Sequence, residues 1–247
     1  WIPATSCDPM QFDPPLQSGI LIKRYKRFLA DVKMDSGEVV TAHCPNPGSM
    51  KTCAEPGWKA WLSPATNPSR KLKWTLEMIE SPKGLILVNT NRPNRIVEEG
   101  IREGRVPHLS QKASIRREVR YGTNSRIDLL LEEPDHPKCW VEIKSVTMLL
   151  RDDMATFPDS VTQRGTKHLV ELVERVQKGD RAVQLFLVSR EEATQMCAAE
   201  HIDPTYAEHL RWAKSKGVEI LAHKALLGTH DIIVGPEIPV VLESPSI

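Results

Sequence analysis

Apolar and polar positions follow two different rhythms along the 247-residue chain. Between residues 19 and 90, short apolar runs are separated by turn-forming clusters: Asp35-Ser36-Gly37, Asn46-Pro47-Gly48, Glu55-Pro56-Gly57, Asn67-Pro68-Ser69 and Ser81-Pro82-Lys83-Gly84. These residues supply a positive or a fixed φ, which is what reversing the chain requires. The intervening runs, 20–34, 38–44, 58–63, 71–79 and 85–89, read as strands. The clearest is 71–79, where Leu72, Trp74, Leu76 and Met78 alternate with Lys71, Lys73, Thr75 and Glu77. A period of two predicts a half-buried strand with one polar face. Five short strands at this spacing suggest a small closed barrel, best matched by a five-stranded oligonucleotide-binding (OB) barrel, with an SH3-like barrel as the second choice.

After about residue 91 helical and strand-like segments alternate. The pattern predicts a helix over 94–103, strands over 126–132 and 138–146, and a long helix over 160–178. Asp159/Ser160 with Gln163 read as the capping box of that helix and Gly179 as its stop. An apolar strand follows at 182–189, then a helix with Asp203-Pro204 at its start and Gly217 at its end, then a strand at 218–225. Helices and strands in this order imply a mixed sheet covered by helices, so the expected class is α/β (α+β): a barrel over 10–90, then a mixed-sheet α/β domain over 91–247.

The chemistry concentrates in Ser125-Arg126-Ile127-Asp128 and Glu142-Ile143-Lys144-Ser145-Val146. If the loop between them closes a hairpin symmetrically about Asp135, Glu132 pairs with Lys138 and Asp128 stands opposite Glu142. Like charges directly opposed on a sheet are destabilising. A hard cation between the two carboxylates would resolve the conflict, and Mg²⁺ is typically held by one or two carboxylates plus waters and phosphate oxygens. Glu142 and Lys144, two apart on a strand, share a face, while Val141 and Ile143 point to the core. Carboxylates, a cation and an ammonium that orients a water are the equipment of metal-assisted phosphodiester hydrolysis. The spacing Asp-x13-Glu-x-Lys matches the PD-(D/E)xK nuclease signature, whose competing explanation is an exposed same-face ion pair between Glu142 and Lys144.

Five blocks in order resemble the bacterial sugar fermentation stimulation protein A (SfsA) family: residues 22–32, His43-Cys44-Pro45-Asn46-Pro47-Gly48-Ser49-Met50, Ser125 to Asp128, Glu142 to Thr147, and Phe157-Pro158-Asp159 with Arg164-Gly165 and Lys167-His168-Leu169. The resemblance spans about residues 13–225. It implies a DNA-binding protein with an OB-like domain and a PD-(D/E)xK restriction-endonuclease-like domain. Asp128, Glu142 and Lys144 fall on the nuclease motif, and Glu99 matches the further acidic residue of such sites, with Glu98 and Glu118 as rivals. Asp128 and Glu142, helped by the Ile143 carbonyl, are the expected ligands of Mg²⁺ or Mn²⁺. The chain departs from the family pattern at Pro47, where Thr is usual, and at Gln163, where Glu is usual. The family name implies a link to sugar (maltose) use, which leaves a non-catalytic DNA-binding regulator as the alternative.

Charge adds a partner. Lys23-Arg24-Tyr25-Lys26-Arg27 places four cations around an aromatic ring, and with Arg116, Arg126, Arg164, Lys167 and His168 it forms the expected set for binding double- or single-stranded DNA with little sequence preference. Arg164 and His168 are one helical turn apart, over an expected buried stripe of Val161, Leu169, Leu172, Val173 and Val176. The formal charge of +1 sums +3 over residues 1–90 and −2 over the remainder. That balance excludes binding by bulk charge alone, so affinity must come from placed patches. Five scattered cysteines without a Cys-x-x-Cys pair, no secretory signal and no long apolar run predict reduced thiols, a cytoplasmic location and no membrane partner. Assembly is left open between monomer and homodimer. The first residue is Trp, and residues 1–9 are expected to be a leader or an artificial extension before Met10.

Overall fold

A computed structural model describes residues 10–122 and 125–243; the expected leader over 1–9 lies outside them. β1 (Met10–Gln11) is followed by β2 (Gln17–Tyr25), β3 (Leu29–Met34), β4 (Val39–His43), β5 (Lys59–Pro64), β6 (Trp74–Ser81) and β7 (Gly84–Leu87). The strands β2 to β6 form a closed ring in the order β4-β3-β2-β5-β6, shut by a parallel pairing of Ala42 with Trp74 and His43 with Thr75. Closure removes the sheet edges that would otherwise invite aggregation. This is the five-stranded OB-like barrel, with β7 added as a sixth strand beside β6. Its interior is filled by Leu21, Val32, Ala42, Leu62, Leu76 and Ile79, among others.

Two barrel expectations are corrected. The run 20–34 is a hairpin, because Lys26 and Arg27 adopt φ of 47° and 64° and turn the chain. In β6 the Thr75 and Glu77 side is not a solvent face, since Glu77 is completely buried. Its carboxylate accepts from Ser63 Oγ at 2.7 Å, Asn89 Nδ2 at 2.7 Å, and Arg92 Nε and Nη2 at 3.0 and 2.6 Å. A buried charge persists where it is paired and hydrogen-bonded in this way.

The remaining elements are α1 (Pro93–Arg102), β8 (Ser114–Tyr121), β9 (Ser125–Glu132), β10 (Cys139–Val146), β11 (Met148–Arg151), β12 (Met154–Phe157), α2 (Gln163–Gln177), β13 (Arg181–Val188), β14 (Gln195–Ala198), α3 (Pro204–Ser215), β15 (Glu219–Leu227), β16 (Asp231–Glu237) and β17 (Val240–Val241). Seven strands form the main sheet in the order β1-β16-β15-β13-β10-β9-β8, parallel from β10 through β13 to β15 and antiparallel elsewhere. One face packs on α1 through Ile96, Val97 and Ile101, and the other on α2 and α3 through Leu169, Leu172, Tyr206 and Leu210. The mixed-sheet α/β domain is therefore present, its central strands apolar on both faces as the burial of β13 requires. The small sheet β11-β12-β14-β17 lies beside it.

The cap of α2 also differs from expectation. Thr162, not Asp159 or Ser160, caps the helix, its Oγ1 accepting from Gly165 N at 3.0 Å. Val161 therefore precedes the helix and is exposed, outside the buried stripe of Leu169, Leu172 and Val173. Asp203 caps α3 as expected, accepting from Tyr206 N at 3.0 Å, and its other oxygen takes Thr162 N at 2.8 Å, which ties the two helix starts together.

The barrel is bolted to the main sheet at several points. Arg190, 2% exposed, donates to the carbonyls of Thr52 and Thr147 at 2.8 and 2.9 Å. Leu85 N donates to Glu191 Oε2 at 2.7 Å, and Asp159 Oδ2 accepts from Ser49 N at 2.7 Å.

Candidate active site

The β9–β10 hairpin sets the site. Its register pairs Leu131 with Cys139, Leu130 with Trp140 and Leu129 with Val141, and Glu132 meets Lys138 in an ion pair at 2.8 Å. The next pair in line is Asp128 with Glu142, as the symmetric loop predicts. The backbone ladder stops there, and the Asp128 side chain replaces it, with Oδ2 accepting from Ile143 N at 2.7 Å and Oδ1 from Asn94 Nδ2 at 2.8 Å. Asn94 comes from the first turn of α1, so the helix start and the hairpin jointly aim this carboxylate.

Glu142 is 2% exposed. Its Oε1 accepts from Lys144 Nζ at 2.6 Å and from His168 Nδ1. The pair with Lys144 is therefore not a surface ion pair: both side chains sit largely inside, at 3% and 16% exposure. His168, on α2, is also buried, and its Nε2 accepts from Arg164 Nε at 3.4 Å. These partners assign His168 the tautomer with the proton on Nδ1. Glu142 Oε2 is buried without a hydrogen-bond partner, an arrangement that costs free energy unless a ligand completes it.

The environments split the two carboxylates. Burial, reinforced by the charge of Glu142, pushes Asp128 up to about 6. Burial also acts to raise Glu142, but the His168 hydrogen bond and the Lys144 charge outweigh it and hold Glu142 below the ordinary carboxylate value. Pairs of carboxylates pushed apart in this way mark places where charge chemistry is done. The donor set suits a hard cation: two carboxylates on facing strands and one orphaned buried oxygen. Among the described residues no three His, Cys, Asp or Glu side chains are spaced to cage a metal by themselves. A Mg²⁺-like ion here would keep waters or phosphate oxygens, as that ion usually does.

A cleft of about 470 Å³ opens beside Lys144. Asn94, Ile143, Lys144 and Ser145 line it, with Thr162 and Arg164 from the start of α2 and Asn46, Pro47 and Gly48 from the barrel. A second cavity of about 490 Å³ is lined by Glu118, Arg126, Gln163, Arg164, Lys167 and His168. The structure thus gathers Arg126, Arg164, Lys167 and His168 around one cavity, and His168 faces Glu142 and not solvent.

The other expected residues have partners of their own. Glu99 pairs with Arg95 at 2.6 Å, and it is Asn94 that reaches Asp128 from α1. Of the rivals, Glu98 is held by Arg102 and Arg117. Glu118, the β8 residue between the partners of Leu129 and Ile127, stands beside Asp128 in register. Arg116 pairs with Glu132 at 3.2 Å at the far end of the hairpin. In the basic run, Lys23 pairs with Asp31 at 3.6 Å and lies over the Tyr25 ring, while Lys26 and Arg27 form the exposed turn. Arg24 is turned inward, its guanidinium donating to the carbonyls of Asn46, Gly48 and Ser49 at 2.9, 2.8 and 3.2 Å. It fastens a loop and is not available to a phosphate. Asn94 is the contributor that sequence reasoning missed, while Arg24 and Asp159, expected to bind DNA and to cap a helix, instead hold the 46–49 loop. Asn94 carried a faint signal, a polar residue after Pro93 at a helix start.

An OB barrel joined to a mixed sheet of restriction-endonuclease type, with a carboxylate pair and a lysine on one hairpin, defines the class of this protein. Residues 22–88 match the model of the SfsA N-terminal OB domain and residues 91–230 that of the sugar fermentation stimulation protein RE domain. The chain belongs to the sugar fermentation stimulation protein family. It is 53% identical to the sugar fermentation stimulation protein homolog of Paramagnetospirillum magneticum, over 92% of this chain and 95% of that one. It is 51% identical to the homolog of Geobacter sulfurreducens, over 92% and 97%. Among solved structures it is similar to Pyrococcus furiosus SfsA in complex with Ca²⁺, with a TM-score of 0.84, 27% identity, and 94% and 99% of the two chains covered.

Proposed function

We propose that the protein is a divalent-cation-dependent nuclease that hydrolyses phosphodiester bonds in DNA, using Mg²⁺ or Mn²⁺. The observation that carries this reading is the convergence of Asp128 and Glu142 beside Lys144, which lines an open cleft, with a buried Glu142 oxygen left unpaired. The Ca²⁺ named with the Pyrococcus relative is in keeping with a hard cation on this fold. Asp128 and Glu142 would hold the cation, with the Ile143 carbonyl as a further oxygen ligand. The bound ion would supply Lewis-acid neutralisation of the phosphate and lower the proton affinity of a water.

The chain's own part is placement. The buried Glu142 keeps Lys144 beside the cleft, where the ammonium can donate to the attacking water or to a phosphate oxygen. In hydrolysis the water oxygen bonds to phosphorus, one P–O ester bond breaks, and the departing oxygen takes up a proton. Asn94 and the Ile143 amide fix the Asp128 rotamer, while His168 and Lys144 fix that of Glu142, so the site is preorganised. Arg126 and Arg164 supply positive charge for the phosphate backbone. A cytoplasmic location suits a DNA partner, and no helix among the described residues is long and apolar enough to cross a membrane.

The test is incubation of plasmid and single-stranded DNA with Mg²⁺ or Mn²⁺, wild type beside Asp128→Ala. Cutting that needs the cation and disappears in the variant is the expected result. DNA binding without cutting in either protein would remove the enzyme reading and leave a regulator linked to sugar metabolism.

A further inference from the structure

Resting on the nuclease reading, we infer that the cleft selects unpaired DNA: it takes one nucleotide of a single strand and excludes a duplex, with the barrel loop Asn46–Ser49 as the excluding wall. The cleft belongs to both domains. Lys144, Ser145 and Asn94 line it from the carboxylate side, and Pro47 and Gly48 face it from the barrel. Its volume of about 470 Å³ is that of a small-molecule pocket, suited to a nucleotide and too small for a double helix. Pro47 and Gly48 line the same cleft as Lys144, so the loop narrows the approach to the ammonium from the barrel side.

The lining suits an unpaired nucleotide in chemistry as well as size. Met148, Phe157 and Pro158 present apolar surface for a base, while Lys144, Ser145, Thr162 and Arg164 present donors for a phosphate. Arg164 lines both this cleft and the neighbouring cavity with Arg126 and Lys167, so the two form one track past the start of α2. A single strand can follow that track with its backbone on the basic side and one base turned into the cleft. Grooves that carry the backbone on cations and rest bases on apolar faces are the usual means of holding single strands.

The wall is built in. Arg24 grips three of its carbonyls, Asn46 Nδ2 donates to the Val88 carbonyl at 3.1 Å, and Asp159 accepts from Ser49 N at 2.7 Å. Gly48 lies so close to the Asp159 carboxylate that a Cβ there would overlap it. The loop is thus clamped from the barrel side and the sheet side at once, and opening it for a duplex means breaking both sets of bonds.

The experiment measures binding and cutting separately, with full-length protein. Anisotropy of a fluorescein-labelled 20-nucleotide strand and of the matching blunt duplex is recorded in EDTA, and cleavage of both in Mn²⁺. Wild type is expected to bind the single strand at least about tenfold tighter, the order of one base–side-chain contact, and to cut it in preference to the duplex. Arg24→Ala, which loosens the wall, reduces that preference. Pro47→Glu, at an exposed position where folding is unaffected, weakens single-strand binding about tenfold through its added charge and leaves duplex binding unchanged. Equal binding of strand and duplex by wild type, or equal losses for both in Pro47→Glu, overturns the inference while cutting can still stand. Strand preference without cutting supports the ligand class and removes the nuclease. Tight binding of a single-stranded RNA with no affinity for DNA also overturns it.

Discussion

Asp128 is held in a place that resists its charge, and replacing it with Asn should make the metal-free protein more stable. Burial and the facing Glu142 raise it from 3.8 to about 6. That gap corresponds to about 3 kcal/mol. The sign follows from which state keeps its proton longer. Between pH 4 and 6 the unfolded chain has lost the proton and the folded protein retains it, so wild-type stability falls as pH rises through this window. Above pH 6 the cost is fully present. The side chain introduced by Asp128→Asn carries no charge, but its amide can accept from Asn94 or from the Ile143 amide and not from both, a loss of about 1 kcal/mol. The net gain is about 2 kcal/mol at pH 7.5, or roughly 5 °C for a chain of this size. The assay is thermal melting of both proteins in EDTA from pH 4 to 8. The advantage of Asp128→Asn should be absent near pH 4 and grow to a plateau above pH 6.5. A variant that melts no higher than wild type at pH 7.5, or an offset independent of pH, would falsify the account of two opposed carboxylates. Mn²⁺ should raise the wild-type melting temperature and act less on the variant, because the cation offsets the same repulsion.

Three other outcomes follow from single contacts. Lys144→Ala should lower Mn²⁺-dependent cutting at least about a hundredfold, the usual scale for a positioned polar group, with DNA binding in EDTA changed far less. His168→Ala removes a buried donor to Glu142 and should lower the cutting rate constant more than substrate affinity; His168→Gln, which can still donate, should recover part of the loss, whereas a purely packing role would show no such recovery. Glu77→Ala leaves the Arg92 guanidinium without its carboxylate and should cost about 3 kcal/mol, the low end for a broken buried pair because Arg92 is partly exposed, read by urea denaturation.

The hairpin was the most legible part of the molecule because its chemistry is local. A symmetric loop and alternating residues leave one register that buries Leu129 and Val141, and that register brings Asp128 to Glu142. The barrel was legible for the same reason: its turns carry Pro and Gly at regular intervals. Where turn chemistry is absent the reading fails, as at Lys26 and Arg27, which take positive φ without a Gly or Asn to announce it. β8 was not visible as a strand, since Arg116, Arg117, Glu118 and Arg120 mask any period of two on an edge strand open to solvent. The partners of Glu77, Arg24 and Asp159 were out of reach for a different reason. Each is a polar residue whose role is set by a segment distant in sequence, and its local pattern reads equally well as surface charge or a helix cap.

Those distant contacts explain why the barrel and the sheet behave as one device. Glu77, inside the barrel strand β6, binds Arg92, the residue that opens α1. Arg92 lacks a side-chain cap of its own, so the start of the helix depends on this grip. Two residues on, Asn94 donates to Asp128. The path from the barrel strand β6 to the Asp128 carboxylate is therefore one ion pair, half a helical turn and one hydrogen bond. A second path runs from Arg24 through the Asn46–Ser49 carbonyls and Ser49 N to Asp159, at the edge of the same cleft. The first path aims a carboxylate and the second places a wall. A barrel that merely tethered nucleic acid would need neither, and a buried ion pair confers little net stability over well-packed apolar side chains. Its physical effect here is orientation: the barrel holds the residues that shape the site, so a change at Glu77 bears on Asp128 through bonds that can be broken one at a time.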